Sequence, residues 1–263
     1  MDNLIAILSA TVSVIGAVIA GVMTTWSNKK TRAMEARLER ERHEQTKAEQ
    51  AAELISRYRE PLLLAANSLQ SRLFNAVRDE YLPVYLRDGS DDEQSEYARN
   101  FTVYTLAEYL CWVEIIRREL RFLDLGGEQE NRRFNDRMQA VSTALATQEI
   151  PQEHFRLFRG QQRALGELLM VPLGATGHHE SMTYPEFVRR IGDDLGFRRW
   201  FERLLTDVSL IRDETLADNV RIVRTQHALI DLIDFLDPGK TRLGAAFREK
   251  YEWPAPSPAS TTS

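Results

Sequence analysis

The sequence predicts an all-α protein: an N-terminal transmembrane helix and a helical stalk, followed by a multi-helix, bundle-like cytoplasmic domain. Three observations predict it. The 23 residues from Leu4 to Trp26 carry no charge, and at ~1.5 Å per residue such a helix spans the roughly 30 Å hydrocarbon core. Beyond the stalk, apolar residues recur three and four apart, the period of an amphipathic helix. No stretch alternates apolar and polar residues long enough to read as a half-buried strand.

The boundaries that follow are 1–27 for the anchor, 28–50 for the stalk, 51–252 for the helical domain and 253–263 for a disordered tail. Hydrophobic residues at 43% and charged residues at 28% suit a folded body. The net charge of -5 argues against a general nucleic-acid binder, so no nucleic acid is expected as a partner. Cys111 is the single cysteine; it cannot form an internal disulfide, and beside Leu110, Trp112 and Val113 it reads as a small buried hydrophobe.

Asp2 is the one charge before the span, where a secretory signal peptide would need a positive segment. Lys29, Lys30 and Arg32 follow the span with no acid until Glu35, and the positive-inside rule then puts the N-terminus outside and the C-terminal domain in the cytoplasm, at the cell membrane. Trp26 falls where an interfacial aromatic anchor belongs. Ser9, Ser13, Ala17 and Gly21 recur every four residues; such a small-residue stripe permits close helix association in lipid, and small residues are also common in membrane helices generally. The bilayer, a second copy through the anchor and an unidentified protein partner are the expected contacts.

The stalk, KKTRAMEARLERERHEQTKAEQ, is strongly helix-forming with only Met34 and Leu38 as large apolar residues, too few for a coiled coil. Leu62, Ala66, Leu69, Leu73 and Val77 then keep helical spacing after Pro61, which kinks a helix or opens one. The acidic turn Asp88 to Gln94 precedes a long central helix reaching Leu123, with Phe101, Tyr104, Leu110, Trp112 and Ile116 on more than one face and Gly126 and Gly127 ending it. Phe134, Met138, Val141 and Leu145 give the next helix its buried stripe. A further helix is expected from Pro151, carrying Phe155, Phe158, Leu165 and Leu169, closed by Pro172, Gly174 and Gly177. Thr183, Tyr184, Pro185 and Glu186 read as a capping box opening another helix. Phe197, Trp200, Phe201 and Leu204 supply the core face of the one after it, Leu216 to Leu236 form the last long helix, and a short amphipathic helix from Leu243 to Tyr251 docks on the body.

His227, Asp231 and Asp234 stand at i, i+4 and i+7 on that last helix, one nitrogen and two carboxylates on one face, a set that could ligate a metal with Glu108 or Glu114 as further donors. The plainer reading pairs them with the chain's many arginines, since no Glu-x-x-His motif accompanies them. His178 and His179 lie in a glycine-bearing connection, where adjacent histidines are more often solvent-exposed than ligands. Arginine pairs such as Arg117–Arg118 and Arg189–Arg190 read as solvated, ion-paired surface, with phosphate or anionic lipid as the alternative. No nucleophile elbow, Walker A or dinucleotide fingerprint is present, and no cofactor is expected.

The stretches YREPLLLAANSLQSRLFNAV (Tyr58 to Val77), EFVRRIGDDLGFRRWFERLLTDV (Glu186 to Val208) and QHALIDLIDFLDP (Gln226 to Pro238) resemble uncharacterised bacterial single-pass membrane-anchored helical proteins. The resemblance implies the same architecture and transfers no catalytic residue. Three functions fit: a membrane-tethered interaction or sensing module, which the absence of a motif for chemistry favours; a metal-dependent hydrolase using the His227 face; and a membrane-acting effector that oligomerises through its anchor.

Overall fold

The computed structural model describes residues 34, 37–40, 42, 43, 45, 46, 57–78, 81–86, 92–119, 128–175, 177–210 and 219–252. The chain divides into two compact units, Met1–Glu53 and Leu54–Ser263. In the first unit every described residue, from Met34 to Thr46, is helical and exposed, Leu38 included. Thr46 Oγ1 donates to the Arg42 carbonyl one turn back (2.9 Å). The span Leu4–Trp26, with the Ser9, Ser13, Ala17 and Gly21 stripe, lies outside the described residues, as does the tail 253–263. Among the described residues no helix is long and apolar enough to cross a membrane.

The second unit is mostly helical and bundle-like. Helix α1 covers residues 57–78, followed by α2 (Tyr81–Leu86), α3 (Asp92–Glu119), α4 (Glu128–Ala146) and α5 (Arg159–Leu169). A two-stranded antiparallel hairpin, β1 (Met170–Pro172) and β2 (His179–Ser181), pairs Val171 with Glu180. Helices α6 (Tyr184–Asp193), α7 (Leu195–Leu210) and α8 (Val220–Leu236) follow, and then a 3-10 turn at Ala245–Arg248.

The predicted stripe of α1 is buried throughout, from Leu62 to Val77, and Pro61 lies inside the helix rather than starting it. Helix α3 buries Val103, Tyr104, Ala107, Tyr109, Leu110, Cys111 and Ile115, which lie around more than one face, so it must be covered on several sides; α2, α5, α6, α7 and the hairpin all pack on it. Its contact with α5 is very close because of Gly166: a Cβ there would stand 2.6 Å from the Leu110 carbonyl oxygen, inside van der Waals contact. Helix α4 turns Phe134, Val141 and Leu145 inward against α8, where Phe134 stacks on Phe235 at 6.0 Å between centroids. Phe187, Phe197 and Phe201 form an aromatic knot between α6 and α7, with centroids 4.9 to 5.9 Å apart.

Five expectations need correction. No helix starts at Pro151: residues 147–158 are irregular, Phe155 adopts a positive φ of 61° while buried, and α5 begins at Arg159. Pro172 and the glycines after it do not merely end a helix; they belong to the hairpin and its turn, with Gly174 and Gly177 at positive φ. Trp200 is 55% exposed, one step off the buried Phe197–Phe201–Leu204 face. The Thr183 side chain makes no cap hydrogen bond, and the Glu186 carboxylate accepts from Arg189 (Nε to Oε2, 2.8 Å), so the capping box does not form. The segment from Leu243 to Tyr251 holds a single 3-10 turn, not a helix, and fastens to α8 through side chains.

Candidate functional site

The face of α8 read as a possible metal site is where the C-terminal segment docks. His227 Nε2 lies 2.7 Å from the Tyr251 carbonyl oxygen; a carbonyl only accepts, so Nε2 carries the proton. Asp231 receives Lys250 Nζ at 2.6 Å, with Arg137 3.9 Å away, and Asp234 receives Arg248 at 2.7 Å. The three side chains share a face as expected, yet each points to its own partner. Among the described residues no three histidine, cysteine, aspartate or glutamate groups converge to hold a metal ion. Glu108 hydrogen-bonds Tyr104 and Glu114 its neighbouring arginines, so neither joins the α8 face.

Next to this face, Asp237 organises the turn that leaves α8. Its carboxylate accepts the backbone N–H of Thr241, Arg242 and Leu243 (3.0 to 3.1 Å) and the Arg248 guanidinium at 2.6 Å. Burial pushes its pKa up, but the Leu243, Thr241 and Arg242 amides outweigh it and hold the carboxyl at about 2.

His178 and His179, expected to be exposed, are half-buried and tied to one carboxylate. Glu119, at the end of α3, accepts from the Tyr58 hydroxyl of α1, from His178 Nδ1 (3.0 Å), and from both His179 Nδ1 (2.8 Å) and His179 N–H (2.9 Å). Arg57 NH1 donates to His178 Nε2 at 2.9 Å, which leaves the ring proton on Nδ1, facing Glu119. Burial raises the Glu119 pKa, yet the Tyr58, His179 and His178 hydrogen bonds prevail and lower it; the same carboxylate, together with burial as the larger cause, pushes Tyr58 up to about 12. Here a glutamate at a helix end fastens the hairpin to α1 and α3. Sequence spacing gave no hint of it, since Tyr58, Glu119 and His178 are about 60 residues apart in steps.

A concave feature lies elsewhere. A cleft of about 580 Å³ opens between α3, α4 and α5. Leu110, Val113, Ile116, Phe134 and Met138 give it apolar walls. Gln162 closes it at the α4–α5 end, its Nε2 donating to the carbonyls of Ser142 (3.0 Å) and Leu157 (2.8 Å) while the Ser142 hydroxyl donates to its Oε1 (2.8 Å). Glu114, its side chain 2% exposed, lies on the α3 side, gripped by Arg117 in a bidentate pair and by Arg118 Nε at 2.8 Å. Burial raises its pKa, but these two guanidiniums reverse that, and the group stays a carboxylate. Tyr109, also in the wall, has a buried hydroxyl without a hydrogen-bond partner among the described residues. Arg117 and Glu114 were noted in the sequence separately; only α4 and α5 coming alongside α3 makes them parts of one cleft.

Cys111 is buried behind this wall, and burial pushes its thiol up to about 12, which makes it an unreactive packing residue. Comparison with protein families, with curated proteins and with solved structures gives no match for this chain. The functional reading therefore stands on the geometry.

Proposed function

We propose that the protein is a membrane-tethered helical sensing module, whose soluble body binds a small ligand in the cleft between α3, α4 and α5. The cleft itself carries this reading. Its volume of about 580 Å³ falls within the roughly 300 to 1,000 Å³ usual for small-molecule sites, and apolar walls with a few fixed polar groups are the usual lining. The tether is supported by the uncharged run Leu4–Trp26 and its basic flank Lys29, Lys30 and Arg32, which favour an N-terminus outside and the body on the cytoplasmic face. The α8 face lends no weight to a hydrolase, because Lys250, Arg248 and the Tyr251 carbonyl occupy the would-be ligands.

Two measurements test the parts separately. Carbonate-washed membranes should retain the full chain, and its recovery in the soluble fraction would remove the tether. Native mass spectrometry of the full chain released from its own membranes should show a bound small molecule, displaced in Val113→Trp, which fills the cleft. A bare mass for both proteins would remove the sensing role.

A further inference from the structure

We infer that the cleft's ligand is an anionic amphiphile, a compact apolar body bearing one carboxylate, sulfonate or phosphate group. The inference rests on the cleft being a binding site and adds the chemistry of its occupant. The apolar half comes from the walls: Val113, Ile116, Phe134 and Met138 gain by covering a hydrophobic body. The anionic half comes from the charge balance. Along the α3–α5 side stand four guanidiniums, Arg117, Arg118, Arg159 and Arg163, against two carboxylates, Glu114 and Glu167.

The two carboxylates are largely used by the first two arginines. Arg117 chelates Glu114, while Arg118 bridges Glu114 and Glu167 at 2.8 and 2.5 Å. Arg163 stands farther off, 3.7 Å from Glu114 and 3.9 Å from Glu167. Arg159 pairs with no carboxylate among the described residues and reaches only the Thr143 hydroxyl, at 3.4 Å. Arg159 thus lines the cleft without a carboxylate partner, and Arg163 shares at long range two carboxylates already held by other arginines; a concave apolar wall focuses their field. Guanidinium forks suit the planar oxygens of a carboxylate or phosphate. A cationic ligand would meet the same positive excess, and a neutral one would leave it uncompensated.

The test uses the full chain in phosphatidylcholine nanodiscs, titrated calorimetrically with empty discs as the blank. Three probes share one skeleton: naphthalene-2-sulfonate, 2-naphthylmethylammonium and 2-naphthol. The sulfonate should bind saturably and the ammonium should not. The double substitution Arg159→Ala/Arg163→Ala, which alters exposed side chains and leaves the fold to be checked by circular dichroism, should weaken the sulfonate about tenfold or more. Equal binding of all three probes, unaffected by that substitution, overturns the anionic assignment and leaves the binding cleft standing. Failure of every probe to bind overturns both. Repeating the titration in discs that contain phosphatidylglycerol separates two sources of the same chemistry: lost sulfonate binding points to the membrane's own anionic lipid, retained binding to a soluble anion, and either result supports the class.

Discussion

Arg221 and Glu114 are both buried charges, and the two regions around them answer the same electrostatic problem with opposite means. Arg221, 0% exposed at the start of α8, donates to the carbonyls of Ala144, Leu145, Thr147, Ile150 and Gln152 at 3.0 to 3.4 Å. Those oxygens lie at the end of α4 and in the irregular segment after it, where intrahelical donors run out; among them the Leu145 carbonyl also accepts from the Leu157 amide at 3.0 Å. Burial lowers its pKa, with Arg156 and Arg203 adding to the effect, yet a guanidinium stays charged. Glu114 is instead held by arginines whose own side chains are 40% and 42% exposed. A charge ringed by backbone dipoles is closed to anything else. One ringed by half-exposed cations sits at an entrance, and the comparison separates a structural device from a site.

The largest effect should follow from breaking the closed region. Arg221→Met strands several buried carbonyls, and at about 1–3 kcal/mol per unsatisfied group the loss should be about 3 kcal/mol or more. Thermal melting followed by circular dichroism reads it, and a melting point unchanged from the parent would show that those oxygens find other donors. Next comes Gly166→Ala. A methyl 2.6 Å from the Leu110 oxygen forces α3 and α5 apart, costing about 1–3 kcal/mol against a helix-propensity gain of about 1. The same spreading deforms the cleft, so naphthalene-2-sulfonate binding should fall with it.

Asp237 allows a buried charge to be discharged by acid, which Arg221 does not. Its folded pKa of about 2 lies below the ordinary value near 3.9, so its contribution is complete above about pH 4 and drains as pH falls toward 2. Melting points of Asp237→Asn should be lower near neutrality and fall less steeply over that acid range; parallel curves for the two proteins would contradict it. The smallest change in stability belongs to Glu114→Gln, which keeps the shape but removes the charge. The arginines it leaves behind are 42% and 40% exposed and can return to water, so its stability, read from the melting point, should change by about 1 kcal/mol, while sulfonate affinity rises because Arg117 is released toward the cleft. Unchanged or weaker binding would show that freeing the guanidinium from Glu114 does not turn it to the anion.

Periodicity made the helices legible where a single stripe faces a single partner: α1 buries the residues its spacing singles out, α4 buries Phe134, Val141 and Leu145 with Met138 partly covered, and α3 buries too many faces to be anything but central. It failed where a long-range contact overrides local preference. Residues 147–158 contain enough apolar residues for a helix, but Arg221, some 70 positions on, holds the Thr147, Ile150 and Gln152 carbonyls in another conformation. Trp200 has the right letter in the wrong register, since the α7 surface is fixed by Phe197, Phe201 and Leu204. The short hairpin escaped notice because three residues per strand are too few to show an alternating pattern. For the sites, the α8 face was visible as a spacing, and its pairing with basic side chains was the plainer reading; Lys250 and Arg248, the partners themselves, were not visible because they lie beyond the helix in a segment with no pattern. The cleft was not visible at all: it needs three helices from different parts of the chain.

The grip of Arg221 also reaches the chemistry of the backbone it holds. A connection between helices without regular structure is ordinarily the first place a protease cuts and the first whose amide protons trade with water. Between α4 and α5 the carbonyls are claimed from inside, Phe155 is buried as a plug, and its amide donates to Asp207 at 2.9 Å. This stretch should therefore survive limited digestion and exchange slowly, behaving as part of the rigid frame despite its irregular path.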